Sequence, residues 1–250
     1  MGYEKKEIEE KIIDAGANKL YASEIVNYKG YFKGTKERYT EYIAKYLLDH
    51  PDFFKDIKII GRDKYKTGEH VRPVDFSKRP TKFPNNKGNR EEEWIAKQIF
   101  DIQYINGLGE IIDYQTPLKV PRAGEANLGL GKIDLLGYKN SHLIILELKK
   151  PKTEETLLRC VLEAYTYYCI LENNLNVLIN ADNFNLPVGT KLKKATFVFD
   201  GEDSNPYQEY IDNKHENTCV LELMKNLDVD IYAIDEEKYK KQGGFMVRKL

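Results

Sequence analysis

One short stretch restricts the fold of this chain more than any other. Leu143-Ile144-Ile145-Leu146-Glu147-Leu148-Lys149 is an apolar run of β type, too short for a core helix, and it follows the turn-like Lys139-Asn140-Ser141-His142. A second strand, Lys132-Ile133-Asp134-Leu135-Leu136-Gly137, precedes that turn, so a hairpin is the economical reading. Residues two apart on a strand share a face. Ile145, Glu147 and Lys149 therefore point one way, and Ile144, Leu146 and Leu148 point into the core. With residues 139 to 142 as the turn, Tyr138 faces Leu143 and Asp134 falls opposite Glu147. Cross-strand partners have Cβ atoms roughly 4.5–5.5 Å apart, so two carboxylates meet there. They repel unless a cation lies between them.

The rest of the chain supplies the elements of an α/β sandwich. Glu91 to Phe100 and Thr153 to Leu171 have helical spacing, as does Asn217 to Asn226, while Ile111 to Thr116, Ala195 to Phe199 and Asp230 to Ile234 read as strands. Upstream, Ile8, Ile12 and Ile13, then Tyr39, Tyr42, Ile43, Tyr46 and Leu47, predict a small helical region over residues 1–60, with Thr35 as an N-cap. Residues 61–90 differ in texture: nine basic against three acidic side chains give a local charge of +6, and Pro73, Pro80 and Pro84 break any regular pattern. This is a basic linker ahead of a third unit, residues 91–250.

Composition excludes several function classes. No stretch approaches about 18 uncharged apolar residues, so no membrane partner is expected. Three cysteines without CxxC spacing and four scattered histidines indicate neither a disulfide framework nor a zinc site, and a reducing cytoplasm fits best. The charged start, Met1-Gly2-Tyr3-Glu4-Lys5-Lys6, is not that of a secretory signal. The net charge is −1, so any contact with nucleic acid requires a local basic surface. A helix-turn-helix reader over residues 18–50, with Lys36, Arg38 and Lys45 on one helix, is a weak further reading because Glu37, Glu41 and Asp49 share it.

Two carboxylates with no His or Cys suit a hard ion, Mg²⁺ or Mn²⁺, which keeps several waters and contacts phosphate oxygens. The chemistry this points to is phosphodiester hydrolysis, with Lys149 orienting the attacking water or stabilising negative charge. The competing reading of so short a pattern is an exposed strand end carrying a Glu–Lys pair and an unrelated Asp.

In context, the chain resembles the PD-(D/E)XK nuclease superfamily. The match runs through Glu91-Glu92-Glu93-Trp94-Ile95, Gly131-Lys132-Ile133-Asp134, Leu146-Glu147-Leu148-Lys149 and the helix with Arg159, Glu163 and Tyr165, roughly residues 88–172. The resemblance implies a restriction-endonuclease-like mixed sheet flanked by helices. It also implies Asp134 and Glu147 as ligands of Mg²⁺ or Mn²⁺, the Leu148 main-chain carbonyl as a third, Lys149 as the catalytic lysine, and Glu91 or Glu92 as the upstream helix acid. Glu163 stands where many relatives carry Gln, and Tyr165 and Tyr168 are either core or site residues. Arg122, in a glycine-containing loop before the Asp134 strand, and Lys150 and Lys152 after Lys149 would contact phosphates. The partner implied is nucleic acid, DNA first, in restriction, phage defence, mobile elements or repair; a homodimer is compatible with it. The alternative is a non-cleaving nucleic-acid-binding or interaction protein that keeps the fold.

The linker makes a measurable claim. If Lys78, Arg79 and Lys82 contact phosphates, replacing all three by Ala should lower nucleic-acid affinity and flatten the slope of log affinity against log salt by roughly 0.7–0.9 for each phosphate no longer neutralised. An unchanged slope in a salt titration assigns these residues to a solvated connector.

Overall fold

The computed structural model describes residues 3–57, 91–118, 131–179, 186–242 and 244–250. Its centre is a mixed sheet of seven strands that lie side by side in chain order. They are β1 (Tyr104–Ile105), β2 (Gly109–Pro117), β3 (Lys132–Lys139), β4 (His142–Leu148), β5 (Lys191–Phe199), β6 (Asp230–Ile234) and β7 (Val247–Lys249). Strands β1 to β4 pair antiparallel, β4 to β6 parallel, and β7 antiparallel to β6. Parallel neighbours need long crossovers, and helices supply them here. Helices α4 (Leu157–Glu172) and α5 (Leu175–Ile179) lie between β4 and β5, and α6 (Asn205–Asn213) and α7 (Cys219–Asn226) between β5 and β6.

The β3–β4 hairpin keeps the expected register through a shorter turn. Lys139 pairs with His142, and only Asn140 and Ser141 form the turn, both at positive φ, 51° and 61°. That is type I′ geometry, whose twist matches the strands it joins. Tyr138 still faces Leu143, and the register leads through Leu135↔Leu146 to Asp134 beside Glu147.

The two sides of β4 are both core, which corrects the expectation that only Ile144, Leu146 and Leu148 are buried. Ile145 is fully buried in one cluster with α4 and the N-terminal helices, while Ile144, Leu146 and Leu148 pack with Ile95 and Ile99 of α3 (Glu91–Ile102) and Tyr239 of α8 (Glu236–Gln242). A strand next to parallel neighbours is covered by helices on both faces, and its continuous apolar run follows from that.

The N-terminal region contains α1 (Lys5–Ala15), α2 (Tyr39–Asp49) and three 3₁₀ turns at Leu20–Ala22, Glu24–Asn27 and Pro51–Asp56. It shares the α4-side core. The Thr156 N–H donates to Asn27 Oδ1 (2.9 Å), and the Cys219 N–H at the start of α7 donates to Glu41 Oε2 (2.6 Å). Thr35 is not the cap of α2; Arg38 holds that position, and the Thr35 hydroxyl closes the preceding turn on Phe32 O. Lys36 and Arg38 consequently precede the helix that carries Lys45, which removes the shared basic face of the helix-turn-helix reading.

Strand β2 shifts register between Ile111 and Asp113, and Asp113 is buried there. Its carboxylate accepts from the Tyr114 N–H (2.9 Å) and the Thr116 hydroxyl (2.7 Å). Burial raises its pKa to about 6 against the pull of those two bonds. Because the folded value exceeds the roughly 3.9 of an unfolded Asp, this group's favourable contribution is complete below about pH 3.9 and is lost as pH rises through about 6. Asn at 113 stays neutral and keeps both bonds once the Thr116 hydroxyl reverses its donor role. Asp113→Asn should therefore be more stable than the parent above pH 6, by about 2–3 kcal/mol, with the difference closing toward pH 4 in urea melts. A pH-independent difference would refute this account.

Candidate functional site

Beyond the last ladder pair, Leu135↔Leu146, the Asp134 side chain takes over the hydrogen bonding between β3 and β4. Its Oδ2 accepts from the Leu148 N–H (3.0 Å) and its Oδ1 from the Gln115 side-chain amide (2.8 Å). Gln115 holds a left-handed φ of 52° between the ladder pairs Tyr114↔Leu135 and Thr116↔Ile133. A non-glycine residue in that region costs of order 1–3 kcal/mol and persists only where its surroundings enforce it. The carboxylate is thus fixed at both oxygens by neighbouring strands.

Lys149 follows β4 and is enclosed rather than exposed: only 3% of it is accessible. This is not the exposed strand end of the competing reading. Its ammonium donates to Glu163 Oε2 (2.7 Å) and Glu147 Oε1 (3.2 Å), and Glu155 Oε2 lies 3.1 Å away. Arg159 Nε is 3.1 Å from the other Glu155 oxygen. The Tyr167 hydroxyl donates to Glu163 Oε1 (3.1 Å) and lies 3.3 Å from the Tyr21 hydroxyl. Gly131 passes directly over that ring, where a Cβ would come within 2.1 Å of the Tyr167 oxygen.

From the other face, Glu92 at the start of α3 accepts from the Lys150 N–H (3.1 Å) and feels the Lys149 charge, whereas Glu91 lies 4.0 Å from the Lys150 ammonium. Glu92 is the upstream acid that faces the cluster.

The electrostatics follow from burial. Asp134 is pushed up to about 7 by burial, opposed by Lys149 and assisted by Glu92 and Glu163. Burial, then the Asp134 and Glu163 charges, raise Glu147 well above the usual carboxylate range, with Lys149 opposing. For Glu163 burial also acts upward, but the Lys149 charge and hydrogen bond, Arg159 and Tyr167 outweigh it and hold this carboxyl low. Burial would lower Lys149; Glu163 and Glu147 override it and keep the ammonium charged far above neutral pH. Among the described residues, Glu92, Asp134, Glu147, Glu155 and Glu163 thus surround two cations, Lys149 and Arg159, and Glu147 Oε2 is buried without a hydrogen-bond partner. Glu155 Oε2 and Arg159 Nε of the same cluster are likewise buried without a hydrogen-bond partner, and Glu147 also reaches the Asp134 carboxyl.

Asp134, Glu147 and Lys149 come together, joined by Glu92 and the Leu148 main chain. The tyrosine in this cluster is Tyr167, while Tyr165 packs edge-on against Phe54 and Tyr168 lies under Lys194. Lys150 is half-exposed beside Glu91, and exposed Lys152 pairs with Asp203 at 2.7 Å. Arg122, Lys78, Arg79 and Lys82 lie outside the described residues. Among the described residues no three His, Cys, Asp or Glu side chains are grouped as a metal-ligand set. Gln115, Glu155 and Tyr167 join the cluster without a sequence signal, because their places depend on strand register and helix rotation. Comparison with family models, with curated proteins and with solved structures returned no match to this chain.

Removing one partner from such a cluster leaves buried charge uncompensated. Lys149→Met should destabilise the fold by about 3–5 kcal/mol. Adding Glu163→Gln to it should recover part of that loss, giving a coupling of roughly 0.5–3 kcal/mol in a urea double-mutant cycle. Additive effects would show that the two side chains do not compensate each other.

Proposed function

We propose that this chain is a metal-dependent nuclease that hydrolyses phosphodiester bonds, DNA first, at Asp134, Glu147 and Lys149. The observation that carries the reading is the meeting of two buried carboxyls, Asp134 and Glu147, beside the Lys149 ammonium. Oxygen donors alone fit a hard divalent ion, and Mg²⁺ or Mn²⁺ needs only one or two carboxylates because it keeps waters. Asp134, Glu147 and the Leu148 carbonyl would hold it. When bound, such an ion polarises a phosphoryl oxygen and lowers the pKa of a coordinated water.

The protein's own groups divide the remaining work. Gln115 and the Leu148 N–H orient Asp134. Lys149, kept as an ammonium, cannot accept a proton; it donates, either to the attacking water or to the negative charge that develops on the phosphate. Glu163 aims that ammonium and is itself held by Tyr167. Restriction and phage defence are the settings that the resemblance to PD-(D/E)XK nucleases implies.

A second reading is a nucleic-acid-binding or interaction protein that does not cleave. It is favoured by the three carboxylates that enclose Lys149 and by the acidic partners of Lys150 and Lys152.

Purified protein incubated with supercoiled plasmid, linear duplex, single-stranded DNA and RNA should cleave one or more of them with Mg²⁺ or Mn²⁺ and none with EDTA. Asp134→Asn should weaken Mn²⁺ binding in calorimetry and abolish cleavage. Absence of both cleavage and Mn²⁺ binding in the parent protein sinks the nuclease reading; Mn²⁺-independent binding of DNA without cleavage selects the second.

A further inference from the structure

A further buried oxygen without a partner belongs to the strand that pairs with β4. Thr196 on β5 is the register partner of Glu147 on the parallel strand β4. Paired residues on neighbouring strands project from the same face, with the strands about 4.8 Å apart. The burial pattern agrees: Val198, two residues on, joins the α4-side core with Ile145, whereas Ala195 and Phe197 pack on the opposite side. Thr196 is wholly buried, and among the described residues its Oγ1 has no hydrogen-bond partner, like Glu147 Oε2 beside it.

Buried hydroxyls are nearly always hydrogen-bonded, and a carboxylate next to a hydroxyl is the most available acceptor. An unsatisfied hydroxyl on the strand that pairs with Glu147 therefore points to a third group that both residues would serve. Bulk solvent does not reach the pair. Its register partners on the two neighbouring strands are Glu147 and the apolar Ile231.

We propose that Thr196 is a positioning residue of the metal site, its hydroxyl holding a water of the divalent cation's shell against Glu147 Oε2. The inference rests on the nuclease reading and adds a residue that neither the D…ExK pattern nor the upstream acid contains. Thr196 acts on the cation through that water, so its effect appears in metal affinity before any catalytic measurement.

The test compares parent, Thr196→Val and Thr196→Ser full-length proteins by Mn²⁺ calorimetry and by thermal melts in EDTA. Valine keeps the shape and deletes the hydroxyl. Its Mn²⁺ affinity should fall roughly 10- to 100-fold, the range found when partners of metal ligands are removed. Its melting temperature in EDTA should rise, because an unsatisfied buried hydroxyl is gone. Serine restores the oxygen and should restore parent affinity. If Thr196→Val does not fold, Thr196→Ala deletes the same oxygen and is read in the same way. A hydroxyl-deleted variant that binds Mn²⁺ as tightly as the parent overturns this inference alone. A parent protein that binds no Mn²⁺ overturns the metal site itself, and with it the role of Thr196.

Discussion

The buried ammonium of Lys149 ties together parts of the chain that would otherwise have no reason to meet. It joins the end of β4, through Glu147, to the connection that follows, through Glu155, and to the middle of α4, through Glu163. Glu163 passes the connection on to Tyr167 and, through Tyr21, to the N-terminal region. A charge this deep is tolerable only when its partners are close and hydrogen-bonded. The packing of α4 on the sheet and the ionisation states at the strand ends are therefore one problem with one solution.

That constraint explains why the N-terminal helices are built into the structure. Val26 and Asn27 receive the hydroxyl and amide of Thr156, which also caps α4 by accepting the Arg159 N–H. The N-cap of the helix that carries Glu163 thus contacts the N-terminal region directly. On the other face, α3 brings Glu92 to the same strand ends while its apolar side covers Leu146 and Leu148. Two helical layers converge on one end of the sheet's central strands, and among the described residues the acids they bring outnumber the cations.

Excess buried carboxylate is costly for stability, and proteins keep such arrangements where a charged ligand or a reaction uses them. The distribution of protonation states is the functional content here. Asp134 is driven toward the neutral form by burial and by the Glu92 and Glu163 charges, and Glu147 by burial and by the Asp134 and Glu163 charges, whereas Glu163 and Lys149 are driven toward the charged form by each other. On the proposed reading, a divalent cation would stabilise the charged forms of Asp134 and Glu147. The lysine's role follows from the same division, since an ammonium held by three carboxylates is a donor and never a base.

The sequence by itself determined the hairpin and the convergence of its polar residues. A period of two puts Glu147 and Lys149 on one face, and a short turn between two apolar runs leaves a single register that brings Asp134 beside Glu147. Helical spacing likewise located α3 and α4. It did not show that Lys149 is buried, because burial depends on what covers the face, and α4 with its Glu163 arrives only when the parallel crossover closes. Nor could it separate Glu92 from Glu91, a matter of helix rotation, or find Gln115, whose place depends on the register of β2 against β3. Thr196 is the extreme case: it reaches Glu147 only through parallel pairing of β4 with β5, which joins distant segments in a register that no local pattern encodes. Local periodicity fixes which side chains share a face, and only long-range pairing decides which faces meet.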